Sequence, residues 1–299
     1  MTTAVDTVLL RSFLLGRRED SNKYDYGHAL LICGCEKMPG AAVLATGAAL
    51  HSGCGLVTLH STRTACTAAM TAFPSAMLSP DPGQFFSCLP PDIQRYTAIG
   101  AGPGLGRESC SVEALRRLLE SCRRPMVLDA DALNILSEHR EMLPLIPPGS
   151  VLTPHAGELK RLIGSDSSLE SVAADLAARL GCVLVEKGPH TRIHWNGDVF
   201  INSTGNSGLA KGGSGDVLTG LVCGLLARGY EPYRAAILAV WLHGYAADVL
   251  STERSVECWD SRELISVLHK GFLQLYQGWM ERYTNLYNVN QANLNIAKL

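Results

Sequence analysis

Between residues 29 and 186 the chain alternates short, continuously apolar runs with longer small-residue or amphipathic stretches. A run of four or five apolar residues bounded by turn residues is the mark of a strand buried on both faces. Ala29–Cys33, Leu56–Leu59, Thr97–Gly100, Met126–Leu128, Val151–Thr153 and Val183–Glu186 read this way. Helical patterns lie between them at Ala41–His51, Ser109–Ser121 and Leu169–Leu180. In Ser109–Ser121, Val112, Leu115, Leu118 and Leu119 share one face. The alternation predicts an α/β fold with a mostly parallel sheet and helices on both faces. An apolar share of 46% over 299 residues is enough to fill such a core.

The pattern changes after residue 190. Ile193–Trp195 and Val199–Ile201 flank Asn196-Gly197, which predicts a β-hairpin. Long helical stretches follow at Gly215–Arg228, Tyr233–Leu250 and roughly Ser261–Tyr276. The sequence reads as an N-terminal extension over 1–21, a single domain over 22–280 and an Asn-rich tail over 281–299.

Composition removes several function classes. Twenty-six basic against twenty-eight acidic residues leave a net charge of −2, which argues against a general nucleic-acid binder. Aromatics at 6% supply no base-stacking platform. The ten cysteines form no CxxC pair and read as structural thiols in a reducing cytosol, so a cytoplasmic protein is expected. No secretory leader is visible, and apolar runs such as Ala235–Leu242 are too short for a membrane span.

In an open parallel sheet, ligands bind beyond the carboxyl ends of the strands. The chemically informative residues sit there: Gly34, Gly100–Gly106, Asp129, His155 and Lys187. Gly212, Gly213, Ser214 and Gly215 open an apolar helix, so bare amides and the helix dipole can make an anion hole. Asp216, in the first turn, reads as a helix cap, a general base or a magnesium partner. The loop is not a Walker A motif, because no Gly-Lys-Ser/Thr follows. Gly102, Gly104 and Gly106 form a packing turn or a weak dinucleotide fingerprint. His155 is a loop residue or a donor to phosphate or ribose. Glu158 orients it, or holds magnesium through water, or is a solvated charge. Lys187 meets a nucleotide phosphate or faces solvent. Asp129 and Asp131 position magnesium-bound water, with Asn134 assisting, or cap a helix.

Gly212-Gly-Ser-Gly-Asp-Val-Leu-Thr-Gly220 resembles the anion hole and catalytic aspartate of the ribokinase-like superfamily. Lys37-Met-Pro-Gly-Ala-Ala42, Gly102-Pro-Gly-Leu-Gly106, Leu128-Asp-Ala-Asp-Ala-Leu-Asn134, Leu152-Thr-Pro-His155 with Glu158, and Lys187-Gly-Pro-His-Thr191 follow one order. Together they resemble ADP-dependent NAD(P)H-hydrate dehydratases, from about Asn22 to Ala247. The resemblance implies a three-layer ribokinase-like sandwich. It also implies dehydration of the S epimer of hydrated NADH and NADPH, with ADP as co-substrate, AMP and phosphate as products, and magnesium as cofactor. ATP is the alternative donor. Ala41, Gly104, His155 and Asp216 would bind the hydrate. Lys187, Gly188, Pro189, His190, Thr191 and Gly215 would bind the nucleotide. A homo-oligomer, often a tetramer, is implied, and the alanine-rich Ala41–Ala49 face offers itself as an interface. In many relatives an epimerase domain is fused ahead of this one. With about twenty residues preceding the resemblance, a separate epimerase is expected.

Two rival functions remain at this stage: a ribokinase-like kinase of a vitamin-precursor alcohol, and a non-catalytic nucleotide sensor. The sequence departs from close relatives at Lys211, where threonine is expected, and at Gly34-Cys35-Glu36, where Gly-Gly-Ser is usual. Lys211 would add a phosphate contact or face water.

Overall fold

The structure, a computed structural model, describes residues 1–164 and 169–277; the expected Asn-rich tail lies outside the described residues. The first half contains β1 (Thr2–Ala4), α1 (Thr7–Phe13), β2 (His28–Ile32), α2 (Pro39–Leu50), β3 (Leu56–Thr62), α3 (Arg63–Ala72) and β4 (Met77–Asp81). It continues with β5 (Ala98–Ala101), α4 (Ser109–Ser121), β6 (Met126–Leu128), α5 (Ala130–Glu138), β7 (Val151–Leu152) and α6 (Ala156–Ile163). The second half adds α7 (Leu169–Leu180), β8 (Val183–Glu186), β9 (Arg192–Trp195), β10 (Asp198–Ile201), α8 (Ser214–Ala227) and α9 (Pro232–Glu253). A last helix covers 261–277.

The strands form one sheet in the order β1-β10-β9-β8-β7-β6-β5-β2-β3-β4. The run from β8 through β4 is parallel throughout, while β9 pairs antiparallel with both β8 and β10. From β2 the chain winds outward to β3 and β4, then returns to place β5 on the other side of β2. That reversal opens a crevice between the carboxyl ends of β2 and β5.

Successive strand residues face opposite layers. On β2, Ala29 and Leu31 join the core that α2, α8 and α9 cover, whereas Leu30 and Ile32 join the core under α4, α5, α6 and α7. All four are fully buried. Each buried leucine contributes about 1.5–3 kcal/mol relative to an exposed one, so a one-residue slip of β2 would exchange two whole layers. Asn196 (φ 49°) and Gly197 (φ 81°) make the expected hairpin turn between β9 and β10.

The structure corrects or extends the sequence reading in several places. The alanine-rich face of α2 is not a free interface: Ala42, Ala45, Ala48 and Ala49 are fully buried in the core shared with α8. A side chain on Gly220 of α8 would begin 2.0 Å from the Ala45 carbonyl oxygen, so only glycine lets the two helices approach this closely. The N-terminal extension docks on the domain, with β1 pairing parallel to β10 and Leu10 of α1 fully buried. The sequence gives no signal for strand β4, which carries Pro80 on a sheet edge and has no apolar run, and the periodicity above does not include α3. By length and composition α9 could cross a membrane, but Ile237, Leu238 and Leu242 are buried in the protein core.

Candidate active site

Helix α8 begins at Gly213, whose φ of +89° is a left-handed conformation that suits glycine. Among the described residues no side chain caps this end. The Ser214 amide donates to the Lys211 carbonyl at 3.4 Å and the Val217 amide to the Gly213 carbonyl at 3.1 Å, while no backbone partner is found for the amides of Gly215 and Asp216 among the described residues. The amides of Gly215 and Asp216 therefore have no carbonyl one turn behind them and remain for an incoming anion. Ser261 holds the approach by donating to the Gly212 carbonyl at 2.8 Å.

Around this end the sheet delivers two charged side chains and α8 a third. Asp129 ends β6 and caps α5, Lys187 follows β8, and Asp216 lies in the first turn of α8. Lys187 Nζ donates to Asp129 Oδ1 at 2.8 Å and lies 3.8 Å from Glu158 Oε2. Thr219 Oγ1 donates to Asp129 Oδ2 at 2.7 Å, and the Ala130 amide donates to Oδ1 at 2.8 Å. A methyl group on Gly215 would stand 3.6 Å from both Lys187 Nζ and Asp129 Oδ2, so the bare backbone of the anion hole faces the ion pair.

Asp216 is half-buried rather than sealed in the core. Burial first, then the Asp129 carboxylate, pushes its pKa up to about 6. Lys187 opposes the rise and Asp131 adds to it. Such a carboxyl is a stronger base than an ordinary aspartate and is still largely ionised at neutral pH. Cys33, at the end of β2, feels Asp216 as well, and its complete burial pushes the thiol far up.

His155 caps α6, its Nδ1 accepting from the amides of Gly157 at 3.0 Å and Glu158 at 3.3 Å. A neutral imidazole that accepts at Nδ1 carries its proton on Nε2, leaving a donor for phosphate or ribose. Glu158 Oε2 completes the reciprocal cap by accepting from the His155 amide at 2.9 Å. His155 and Lys187 form an isolated parallel bridge beyond β7 and β8, which places the two loops side by side.

A cavity of about 740 Å³ opens between these loops and the start of α8. His155, Lys187, Gly188, Pro189 and Thr191 line one side, and Gly212, Ser214 and Gly215 another. Thr191 Oγ1 closes its own turn by donating to the Gly188 carbonyl at 3.1 Å. His190 and Gly213 are outside the lining. Asp216 also lies outside it, near enough to Asp129, Lys187 and Cys33 to interact with each electrostatically. The other expected substrate residues meet at the crevice: a methyl group on Gly104 would lie 3.0 Å from Ala41 Cβ and 3.3 Å from Gly34 Cα. The Gly34 amide donates to the Pro103 carbonyl at 2.7 Å, tying the two strand-end loops together.

Asp129 and Glu158 do not make a ready magnesium cage. Both Asp129 oxygens are occupied by protein donors, and the Lys187 ammonium already supplies the cation beside Glu158. Asn134 and Asp131 are committed too, to Arg161 and to the Gly106 amide. Lys211 lines the cavity, but its ammonium is engaged inside the protein. Its Nζ donates to the carbonyls of Val256 and Trp259, each at 2.6 Å, over the Trp259 ring.

Sequence reasoning missed three supports. Thr219 fixes Asp129 from α8. His243 of α9 reaches Ser214, its Nε2 lying 3.0 Å from the Ser214 carbonyl oxygen; burial pushes its pKa down to about 4, so it is neutral. Asp248 accepts from the Gly205 amide at 2.9 Å and from Asn206 Nδ2 at 3.0 Å, fixing the third wall of the cavity. His243 and Asp248 carry no local motif signal, because they stand on a long helix read only for its periodicity.

Comparison with known proteins fits this geometry. A profile described as NAD(P)H-hydrate dehydratase matches residues 29–270. The chain is 35% identical over 266 residues to the ADP-dependent (S)-NAD(P)H-hydrate dehydratase of Bacillus subtilis, covering 87% of this chain and 94% of that protein. It is 37% identical over 279 residues to the bifunctional NAD(P)H-hydrate repair enzyme of Moorella thermoacetica, covering 86% of this chain and 51% of that enzyme, so it spans about half of the bifunctional relative. A Bacillus subtilis ADP/ATP-dependent NAD(P)H-hydrate dehydratase, co-crystallised with ATP and Mg2+, superposes with a TM-score of 0.81 at 32% identity, over 90% of this chain and 97% of that one. The sandwich is thus the ribokinase-like one that the glycine loop implied. A matching profile over four-fifths of the chain, with the glycine loop, the His155 cap and the Lys187 turn converging on one helix end, leads to one conclusion: this chain belongs to the NAD(P)H-hydrate dehydratase family.

Proposed function

We propose that this chain removes water from the S epimer of hydrated NADH and NADPH, using ADP and releasing AMP and phosphate. The observation that carries this reading is the placement of Asp216: a carboxyl of raised pKa on the first turn of an uncapped helix, beside the Asp129–Lys187 pair.

Hydroxide leaves the hydrated ring poorly, so the hydroxyl is first made into a better leaving group. Asp216 takes the hydroxyl proton, and the oxygen attacks the terminal phosphorus of ADP. The bond from that phosphorus to the bridging oxygen breaks and AMP leaves with the bond's electrons. The Gly212, Gly213 and Gly215 amides hold the transferring phosphoryl, that of Ser214 being bonded to the Lys211 carbonyl, and Lys187 stands against the same helix end. The ring nitrogen's lone pair then expels phosphate, and loss of a proton from the adjacent carbon restores the double bond. His155 Nε2 lies 3.5 Å from Glu158 Oε1, and its side chain is 55% exposed, so the N–H is within reach of a ligand oxygen as well. Magnesium would travel on the nucleotide's phosphates and screen their charge. ADP is the preferred donor in this reading, with ATP as the alternative, and the enzyme acts in the cytoplasm alongside an epimerase that interconverts the two hydrates.

The test is recovery of NADH absorbance from hydrated NADH, ADP and pure protein, with phosphate and AMP released in equal amounts. Absence of NADH with either ADP or ATP would sink the reading. Accumulation of a stable phosphorylated alcohol from some other substrate would favour a kinase instead.

A further inference from the structure

A second recess lies at the opposite end of α8 from the anion hole. Its volume is about 370 Å³, and Arg17, His51, Ser52, Gly53, Arg228 and Tyr276 help to line it. Arg228 follows the last residue of α8, so fourteen helical residues, or about 21 Å, separate this recess from the catalytic loop.

Two guanidinium groups converge here. Arg17 lies over the Tyr26 ring at 4.0 Å, and its Nη2 donates to the Gly53 carbonyl. Arg228 is 5.8 Å from the same ring, and its Nη1 is 2.9 Å from where a Gly53 side chain would begin. Arg228 is only 9% exposed. One of its nitrogens donates to the Leu15 carbonyl, but Nε has no partner among the described residues. Among those residues neither arginine has a carboxylate within 4.0 Å. The nearby Asp20 and Asp25 pair with Arg18 instead.

The obvious source of compensation is the two helix C-termini that end here, on α2 and α8. Their carbonyls are already supplied with donors. His51 Nδ1 meets the Gly47 carbonyl oxygen at 2.8 Å and Ser52 Oγ donates to Ala49 at 2.7 Å. At the end of α8, Thr97 Oγ1 donates to Ala227 at 3.0 Å. A buried guanidinium without a counter-charge is costly, and a second one beside it adds repulsion. Planar forks of this kind match oxyanions in two-pronged fashion.

We propose that this recess is a second binding site, separate from the active site, for the phosphoryl or carboxylate group of a small metabolite. Crystals soaked in tungstate should show an anomalous peak between Arg17 and Arg228, besides any at the start of α8. In crystals of Arg17→Gln, a substitution at an exposed position away from the catalytic machinery, only the former peak should vanish. Back-soaking with pyrophosphate or with citrate assigns the natural ligand, since displacement by the first marks a phosphoryl group and by the second a carboxylate. In solution, calorimetric titration of the wild-type protein with pyrophosphate should resolve two sites. One of them should weaken at least ~10-fold in Arg17→Gln, as expected on losing a charge-assisted fork. No peak at the arginine pair, or unchanged titrations in Arg17→Gln, overturns the proposal.

Discussion

Lys187 Nζ and Asp129 Oδ1 stand 2.8 Å apart, joining residues 58 positions distant in the chain, and Gly215 packs its bare backbone against both. Asp129 is almost fully buried. The pair therefore sets the charge beneath the anion hole. Removing one partner leaves the other exposed to the full cost of burial. Lys187→Met should destabilise the fold by about 3 kcal/mol, well beyond the loss at a surface lysine. Urea denaturation of Lys187→Met against Lys270→Met, an exposed ion-paired control, checks this. Equal losses would show that the buried pair has no special weight.

Asp216→Asn should lower kcat at least ~10²-fold, the low end of general-base contributions, with little change in nucleotide affinity. Because the carboxyl must be ionised to act, kcat/KM of the wild type should fall on the acid side with a pKa near 6. A profile flat down to pH 4.5 would remove Asp216 from the base role.

Asp129 is the second cause of the raised Asp216 pKa, after burial. Asp129→Asn should move the acid limb of kcat/KM to lower pH, toward the ordinary aspartate value of 3.8. An unmoved limb would mean that burial alone sets it.

Two site groups contribute to stability with opposite pH dependence. Asp216 has its pKa raised from 3.8 to about 6, so the folded state holds more protons in that window and stability falls as pH rises through it. His243 has its pKa lowered from 6.5 to about 4, so the unfolded state holds more protons there and stability falls as pH drops through it. Each effect is on the order of 3 kcal/mol, and they nearly cancel between pH 4 and 6. Asp216→Asn removes one of them. That variant should be more stable than the wild type above pH 6 and should lose stability more steeply toward pH 4. Thermal melts across this range read both slopes.

Glycines of the same motif should respond differently. A side chain on Gly220 would begin 2.0 Å from the Ala45 carbonyl oxygen, whereas one on Gly212 meets nothing within 4 Å. Gly220→Val should cost more than about 3 kcal/mol by overpacking the α2–α8 contact. Gly212→Ala should fold normally and show its effect in nucleotide binding. A stable, well-folded Gly220→Val would contradict the close helix approach.

The legible part of this protein was its periodicity and its strand-end punctuation. Continuous apolar runs placed β2, β6 and β8 to within a residue, because a strand buried on both faces has no polar position to blur it. Edge elements were less legible. Strand β4 pairs on one side and carries Pro80, and β1 is three residues whose meaning depends on β10. The alanines of α2 suit an interface as well as a core, since small residues pack as well between protomers as between helices. Gly220 and Gly224 of α8 decide the matter, by leaving room inside the protomer.

By itself, the sequence determined the layer order of the core, the loops that lie beyond the strand ends, and the glycine turn that starts α8. Hydrophobic spacing and glycine's freedom at positive φ are local properties, so they can be read locally. Only the tertiary structure decided what each polar group does. It gave Asp129 to Lys187 and Thr219 rather than to a metal, turned Lys211 onto Trp259, and raised the Asp216 pKa. Burial and the charge of a neighbour distant in sequence set these outcomes, and both exist only once the chain has folded.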